Sequence, residues 1–314
     1  MTQPLVGVAE PAGVVGVVAV TYFPGATLDA FLDSLPAALT GARADVVLAD
    51  NGSTDASLER ADASVERAAA RPGVRLLRTG GNLGFGTAAN RGAAAVDPAA
   101  TAVLIANPDV VLHPGAVDRL LAALDRYPDA GAVGPAIVTP DGELYPSARR
   151  LPTLTLGVGH AALGWLWPAN PWTRRYRAED TGVSERTAGW LSGSCLLVRR
   201  SAFAAVGGFD EDYFMYFEDV DLGARLAAAG WRSVYVPAAV ATHIGGHATA
   251  RAGAPMITAH HDSAYLYLAG RYPARWQAPA RWTLKGALRI RALIALRSHR
   301  VSGGARLDGR RLAD

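Results

Sequence analysis

Residues 14–22 read Val-Val-Gly-Val-Val-Ala-Val-Thr-Tyr, and this stretch decides the architecture. A β-branched run with no polar alternation has no solvent face, so it predicts a strand buried on both sides, as in a parallel sheet covered by helices. Working outward, residues 28–40 read as a helix, and residues 44–50 (ADVVLAD) as a second strand stopped by the Asn51-Gly52 turn. Ser53, Thr54 and Asp55 are placed to cap a helix running to about Ala70. A third strand spans 74–79. A glycine-rich loop at 80–86 opens a helix at 88–95, and a fourth strand at 102–106 ends on Asn107-Pro108-Asp109. The alternation predicts an α/β fold with a mainly parallel central sheet and right-handed crossovers. Ligands of such sheets sit at the carboxyl ends of the strands. Those ends carry Thr21-Tyr22, Asp50-Asn51, Asn82-Leu83-Gly84 and Asn107-Pro108-Asp109.

The remaining chain changes character twice. Residues 146–186 are rich in Pro, Trp and Arg and read as a long ordered loop or lid. Regular structure returns at 189–199, followed by a short helix at 201–206 and a longer one at 219–229 closed by Gly230. Two strand-like segments follow at 234–236 and 239–242, and from about Ile257 a helical extension carries most of the basic residues. Three parts result, at 1–140, 141–255 and 256–314.

Composition narrows the function classes. Half of the 314 residues are hydrophobic and 19% are charged, which excludes disorder. The single cysteine, Cys195, excludes an internal disulfide framework and a Cys-based zinc site. No apolar run reaches the ~18 residues of a membrane span, and no basic residue precedes Arg43, so a cytoplasmic protein is expected. Residues 271–314 hold 11 Lys and Arg against two acids, a net +9, whereas the preceding 270 residues carry 20 bases and 26 acids, a net −6. A basic block on an acidic body predicts a patch for an anionic surface, either nucleic acid or lipid head groups, and the acidic body argues against the nucleic acid.

Four motifs carry chemistry, each with a plainer alternative. Asp50 to Asp55 is a strand tip, turn and cap, or a carboxylate placed to accept the ring N–H of a pyrimidine. Asn82 to Gly86 is a loop, or a phosphate cradle lacking the usual GxGxxG and lysine. Asn107-Pro108-Asp109 is a surface turn, or an oxygen ligand for Mg2+ or Mn2+. Glu218, Asp219 and Asp221 sit at a helix start among aromatic residues, where acids cap the dipole or a carboxylate pair tunes a general base. His243 follows a strand, and its reading turns on whether it faces Asp109.

The order VAVTY, ADNGSTD, NLGFGTAANRG, NPD, GWLSGSCLLVRRSAFAAVGGFDEDYFMYFEDVDLGARLAAAGW and HIGG resembles family 2 glycosyltransferases of the GT-A fold over about residues 14–250. Within that family it is similar to the rhamnosyltransferases that move L-rhamnose from dTDP-rhamnose to a lipid-linked sugar. The resemblance implies that Thr21 and Asp50 hold the base and that Asn82, Gly84, Asn90 and Arg91 line the nucleoside and diphosphate pocket, with Asn107 beside them. It implies that Asp109, the last residue of the metal motif, and His243 share a Mg2+ or Mn2+ ion, with Asn-Pro-Asp here in place of Asp-x-Asp. Asp219 becomes the catalytic base, and Glu218 and Trp190 shape the acceptor pocket. The implied acceptor is a polyprenyl-diphosphate-linked GlcNAc at the inner face of the cell membrane, with the enzyme peripherally attached.

In the tail, Trp282, Ile290, Leu293 and Ile294 fall on one side of a helix and Arg281, Lys285 and Arg289 on another, with Leu284 and Leu288 blurring the basic face. This predicts an in-plane membrane helix. The alternative is packing on the catalytic domain or on a second subunit of a homo-oligomer. Among competing classes, a sugar-nucleotide pyrophosphorylase needs an N-terminal catalytic lysine, and Lys285 is the only lysine in the chain. A non-catalytic membrane-surface module would have no use for Asp109, Glu218, Asp219 and His243 together. A family 2 transferase with another nucleotide sugar, UDP- or GDP-linked, stays open, since no single residue reads a 6-deoxy sugar.

Overall fold

The computed structural model describes residues 13–52, 74–152, 184–245 and 253–308. Its elements in chain order are β1 (Val14–Thr21), α1 (Thr27–Ala38), β2 (Arg43–Asp50), β3 (Val74–Arg78), α2 (Phe85–Ala95), β4 (Ala102–Ala106), β5 (Val110–Leu112), α3 (Ala116–Arg126) and β6 (Ala130–Val138). There follow β7 (Leu144–Tyr145), β8 (Ala148–Arg149), β9 (Arg186–Ala188), β10 (Trp190–Leu191), β11 (Cys195–Arg199), α4 (Arg200–Ala205), α5 (Glu218–Ala228), β12 (Arg232–His243), α6 (Gly253–Gly270) and α7 (Ala278–Asp308).

The main sheet runs β3-β2-β1-β4-β11-β6-β12-β5, with β7 added to β6 and β9 to β12. Its first four strands are mutually parallel, as the apolar runs predict. Strand β11 inserts antiparallel between β4 and β6, so the chain beyond residue 141 shares one sheet with the chain before it. Alternation along β1 sends Val15, Val17 and Ala19 to one face, where Leu28 and Phe31 of α1 and Val117 and Leu120 of α3 cover them. Val18 and Val20 point to the other face, against Ala88 and Ala89 of α2, Phe203 of α4 and Leu222 and Leu226 of α5. Thus the sheet is buried on both sides.

Two features differ from the sequence reading. The two strand-like segments at 234–242 are one strand, β12, which pairs with β6 on both sides of a register shift between Val236 and Val240. The unassigned stretch after Asp109 holds β5, α3, β6 and β7, and β6 lies inside the sheet. The helix expected up to Ala70 and most of the loop expected at 146–186 lie outside the described residues.

The C-terminal extension is a helical pair, α6 packed along α7. A third apolar cluster, Tyr213, Val220, Tyr267 and Leu268 with Leu284 at its edge, ties the pair to α5. Leu284 and Leu288 are half-buried, and Arg281 donates to the carbonyls of Tyr272 and Ala274. The expected two-faced helix therefore has three faces. One packs on the body, one presents Lys285 and Arg289, and one leaves Trp282, Ile290 and Leu293 at 72%, 61% and 58% exposure.

Candidate active site

Parallel pairing of β1 with β2 sets Thr21 opposite Asp50 at the carboxyl ends of both strands. Both are buried, and the Thr21 hydroxyl donates to Asp50 Oδ1 at 3.1 Å. The next residue, Asn51, organises the glycine-rich loop. Its Nδ2 donates to Asn82 Oδ1 at 2.9 Å, and its Oδ1 accepts from the backbone N–H of Leu83 at 2.8 Å. Asn82 Oδ1 also accepts from the N–H of Gly84 at 3.2 Å. The sequence places Asn51 at a ligand-side strand end and in a turn, but not its role in holding the glycine-rich loop.

Gly84 sits at φ +91°, and a Cβ there would lie 2.4 Å from the Phe214 carbonyl oxygen. Only glycine satisfies both the dihedral and the contact. The N–H of Phe85 donates to that same oxygen at 3.0 Å, so the loop at strand β3 is fastened to the segment preceding α5. Asn90 is fully engaged in structure. Its Nδ2 donates to the Phe209 carbonyl and to Glu211, and its Oδ1 accepts from the Phe209 N–H. Arg91 donates to the Thr79 carbonyl at 2.9 Å, bracing the end of β3. Both residues thus stabilise the walls of this region through backbone contacts.

Antiparallel pairing of β12 with β5 puts His243 opposite Val110, one residue beyond Asp109. The consequence is that His243 Nε2 lies 3.1 Å from Asp109 Oδ1 although the two are 134 positions apart. Asn107 Nδ2 approaches the same imidazole nitrogen at 3.5 Å. A carboxylate and an imidazole converging on one point suit a divalent ion that takes its other ligands from elsewhere. Among the described residues no cluster of three or more His, Cys, Asp or Glu side chains forms a metal cage.

The Glu218-Asp219 pair opens α5. Two residues before it, Tyr216 and Phe217 adopt left-handed φ values of +67° and +65°. Such conformations cost of order 1–3 kcal/mol each for non-glycine residues and persist only where surroundings enforce them. Here Ser263 of α6 donates to the Met215 carbonyl at 2.8 Å, and the Phe217 ring packs on Tyr267 and His260. Asp219 accepts the N–H of Gly193 at 3.0 Å and that of Val220 at 2.8 Å. Burial raises the Asp219 carboxyl above the ordinary carboxylate range, and these backbone donors oppose the rise. Glu218 is only 7% exposed, and its Oε2 lacks a hydrogen-bond partner among the described residues. Burial first, and then the Asp219 charge, push it upward as well. Two adjacent buried carboxyls that resist ionising together are the electrostatic setting of a proton acceptor. By contrast, Cys195 is buried in β11 with its thiol pushed up to about 12, so it is inert.

One short turn joins the two ends of the site. The Ser194 carbonyl accepts the N–H of Asn107 at 2.9 Å, while the N–H of Gly193 reaches Asp219. Ser192-Gly193-Ser194 therefore fixes the Asp109–His243 pair relative to Asp219. Trp190, at the head of this turn, lies against α5 because Gly223 leaves room: a Cβ there would come within 2.7 Å of Trp190 Cβ. Arg149 pairs with Trp190 across β8 and β10. Gly193 stands inside the GWLSGSC motif but has no role there that its residue type announces, and Arg149 belongs to no motif.

Residues 16–207 match Glycosyl transferase family 2, and residues 176–303 match Glycosyl transferase family group 2. The chain is 54% identical over 294 residues, 91% of its own length and 94% of the relative's, to the N-acetylglucosaminyl-diphospho-decaprenol L-rhamnosyltransferase of Mycobacterium tuberculosis. Its fold is similar to that of a mannosyltransferase from Pyrobaculum calidifontis solved with GDP-Man and Mn2+, with a TM-score of 0.57 at 17% identity, covering 99% of this chain and 84% of that one. It is likewise similar to GalNAc-T7 with UDP, GalNAc and Mn2+, with a TM-score of 0.57 at 18% identity over 74% of this chain and 44% of that one.

Proposed function

Because the chain belongs to glycosyl transferase family 2, we propose that it moves L-rhamnose from dTDP-L-rhamnose onto the GlcNAc of a polyprenyl-diphosphate-linked acceptor, inverting the anomeric centre in one displacement. The observation that carries the sugar and the acceptor is the 54% identity, over 91% of the chain, to a transferase whose name states both.

In this reading Thr21 and Asp50 bind the thymine edge, and the loop that Asn51 and Asn82 hold in place, with Gly84 and with Asn90 and Arg91 behind it, lines the nucleoside and diphosphate pocket. Asp109 and His243 would hold a Mg2+ or Mn2+ ion, which when bound neutralises charge on the departing diphosphate. Asp219 takes the proton from the attacking hydroxyl, and the N–H of Gly193 holds its carboxylate in place. Its raised proton affinity suits that role, because a stronger base accepts a proton more readily. Glu218 and Trp190 border the acceptor. Residues 1–140 thus serve the donor, 141–255 the acceptor and the base, and 256–314 the membrane.

The membrane part rests on the outer face of α7. Trp282, Ile290 and Leu293 are exposed beside Lys285 and Arg289, and no helix among the described residues is long and apolar enough to cross a membrane. An anionic lipid surface satisfies both the apolar stripe and the flanking charge, whereas a second copy of the same basic face would be repelled. A lipid-linked acceptor requires such docking at the inner face of the membrane.

The test is a transfer assay with polyprenyl-diphosphate-GlcNAc as acceptor and dTDP-rhamnose set against UDP- and GDP-sugars. Product formation with dTDP-rhamnose alone is the expected result. Preferential turnover of a UDP- or GDP-sugar would replace the donor assignment.

A further inference from the structure

Arg149 is a cation whose charge reaches the base Asp219, and among the described residues no carboxylate forms an ion pair with it. The register of β8 and β10 sets it opposite Trp190, and its guanidinium carbon lies 5.8 Å from the Trp190 ring centroid and 5.7 Å from that of Tyr145. Its Nε donates to the Pro146 carbonyl at 2.9 Å. Trp190 is itself pinned by its indole N–H, which donates to the Arg150 carbonyl at 3.1 Å. Among the described residues, neither terminal nitrogen of Arg149 finds an acceptor and no carboxylate pairs with it. The guanidinium is therefore held by one nitrogen and two rings, with its forked donor edge left over. Arginine forks of this kind match phosphate oxygens in a bidentate manner.

Its neighbourhood says which phosphate. Trp190 leads into the turn whose Gly193 N–H holds Asp219, so Arg149 stands on the acceptor side of the base. Its charge is also felt by the Asp219 carboxyl, where it opposes the effect of burial. In a sugar diphosphate, the attacking hydroxyl and the diphosphate are substituents of the same ring. A base for that hydroxyl and a cation for that diphosphate must then sit one sugar apart, with an aromatic face between them for the ring. Trp190 supplies that face.

We infer that Arg149 is a binding residue for the diphosphate of the acceptor, and so selects acceptors that carry an anionic group on the sugar's anomeric carbon. The inference rests on the proposed acceptor class. The donor's diphosphate offers the same chemistry, but it belongs with Asp109 and His243 at the other end of the Ser192–Ser194 turn.

The experiment measures calorimetric binding, in the presence of dTDP, of two ligands to the full-length protein and to Arg149→Gln. One ligand is a short-chain prenyl-diphosphate-GlcNAc and the other an uncharged alkyl glycoside of GlcNAc. Loss of a charge-assisted bidentate contact predicts about 10- to 100-fold weaker binding of the diphosphate ligand. Binding of the alkyl glycoside and of dTDP should be unchanged, and Arg149→Lys should recover part of the loss by keeping the charge without the fork. Equal weakening for both acceptors, or a fall in dTDP affinity, would overturn the assignment. Rhamnosyl transfer by the unmodified protein, run alongside, reports separately on the proposed reaction.

Discussion

Replacing Asp219 by Asn removes the proton acceptor while nearly conserving shape. General-base loss typically costs 10²- to 10⁴-fold in rate, which at 1.36 kcal/mol per decade is about 3–5 kcal/mol of barrier. The structure sets the accompanying change in stability. Asp219 accepts two backbone N–H groups, from Gly193 and Val220. An asparagine carbonyl can keep one, and its amide must then face the other donor, at a cost of about 1.5–3 kcal/mol for the lost charged hydrogen bond. Opposing this, the substitution removes one of two adjacent buried carboxylates, and with it the repulsion that raises Glu218. The two effects oppose each other, so the net loss stays below the about 3 kcal/mol of the hydrogen bond alone, and Tm falls by several degrees at most. The assay is steady-state transfer to the short-chain acceptor, paired with dTDP affinity by calorimetry and a melting curve. The expected result is kcat reduced at least about 100-fold with dTDP binding unchanged, since the base touches the acceptor and not the nucleotide. In the unmodified enzyme the acidic limb of kcat/KM should lie above the ordinary carboxylate range, because burial raises Asp219. Retention of activity within about threefold of wild type would refute the role, and attention would move to Glu218.

Other outcomes follow from the same geometry. Glu218 is raised in the folded state, so its ionisation costs stability as pH climbs past the unfolded value of about 4.3, and Glu218→Gln should raise Tm at pH 8 while leaving it unchanged near pH 4. Equal melting curves at pH 8 would show that the carboxylate is not destabilising there. EDTA should stop turnover, and His243→Ala or Asp109→Ala should weaken Mn2+ binding in the presence of dTDP by about 10- to 100-fold, read by titration; full activity in EDTA would remove the metal. Trp282→Ser with Ile290→Ser and Leu293→Ser should release the protein from anionic vesicles at low salt without changing the rate on a short-chain acceptor, measured by co-sedimentation and the transfer assay. An equal loss of rate on short and long acceptors would assign that face to the body of the enzyme.

Where the chain reads locally, the sequence was legible. The β-branched run at Val14–Thr21, the apolar strand at Ala102–Ala106 and the Gly230 stop after α5 each follow from side-chain periodicity or a single backbone preference, and all appear in place. The motif order also carried the family, because Asp50, Asn82, Asp109 and Asp219 stand at strand ends and helix starts that local rules identify. What local rules miss is pairing at a distance. β6 contains glycines and a proline that suppress any strand signal, yet it lies inside the sheet between β11 and β12, where neighbouring strands supply its hydrogen bonds.

The site divides in the same way. The resemblance implied a shared ion at Asp109 and His243, but only the β12–β5 register brings them to 3.1 Å. The resemblance puts Asn90 in the pocket wall, and the tertiary contacts tie its side chain to the Phe209 backbone and the Glu211 carboxylate. Gly193 and Arg149 carry no signal of their own, because a backbone N–H and a surface arginine look alike everywhere in a sequence. They matter here because a three-residue turn lays one against Asp219, and a two-residue strand pairing lays the other against Trp190. The sequence by itself determined those elements with a clear side-chain periodicity and the chemistry they bring, since those depend on neighbours along the chain. Only the tertiary structure decided which of those groups meet, since that depends on strand registers between residues as much as 133 positions apart.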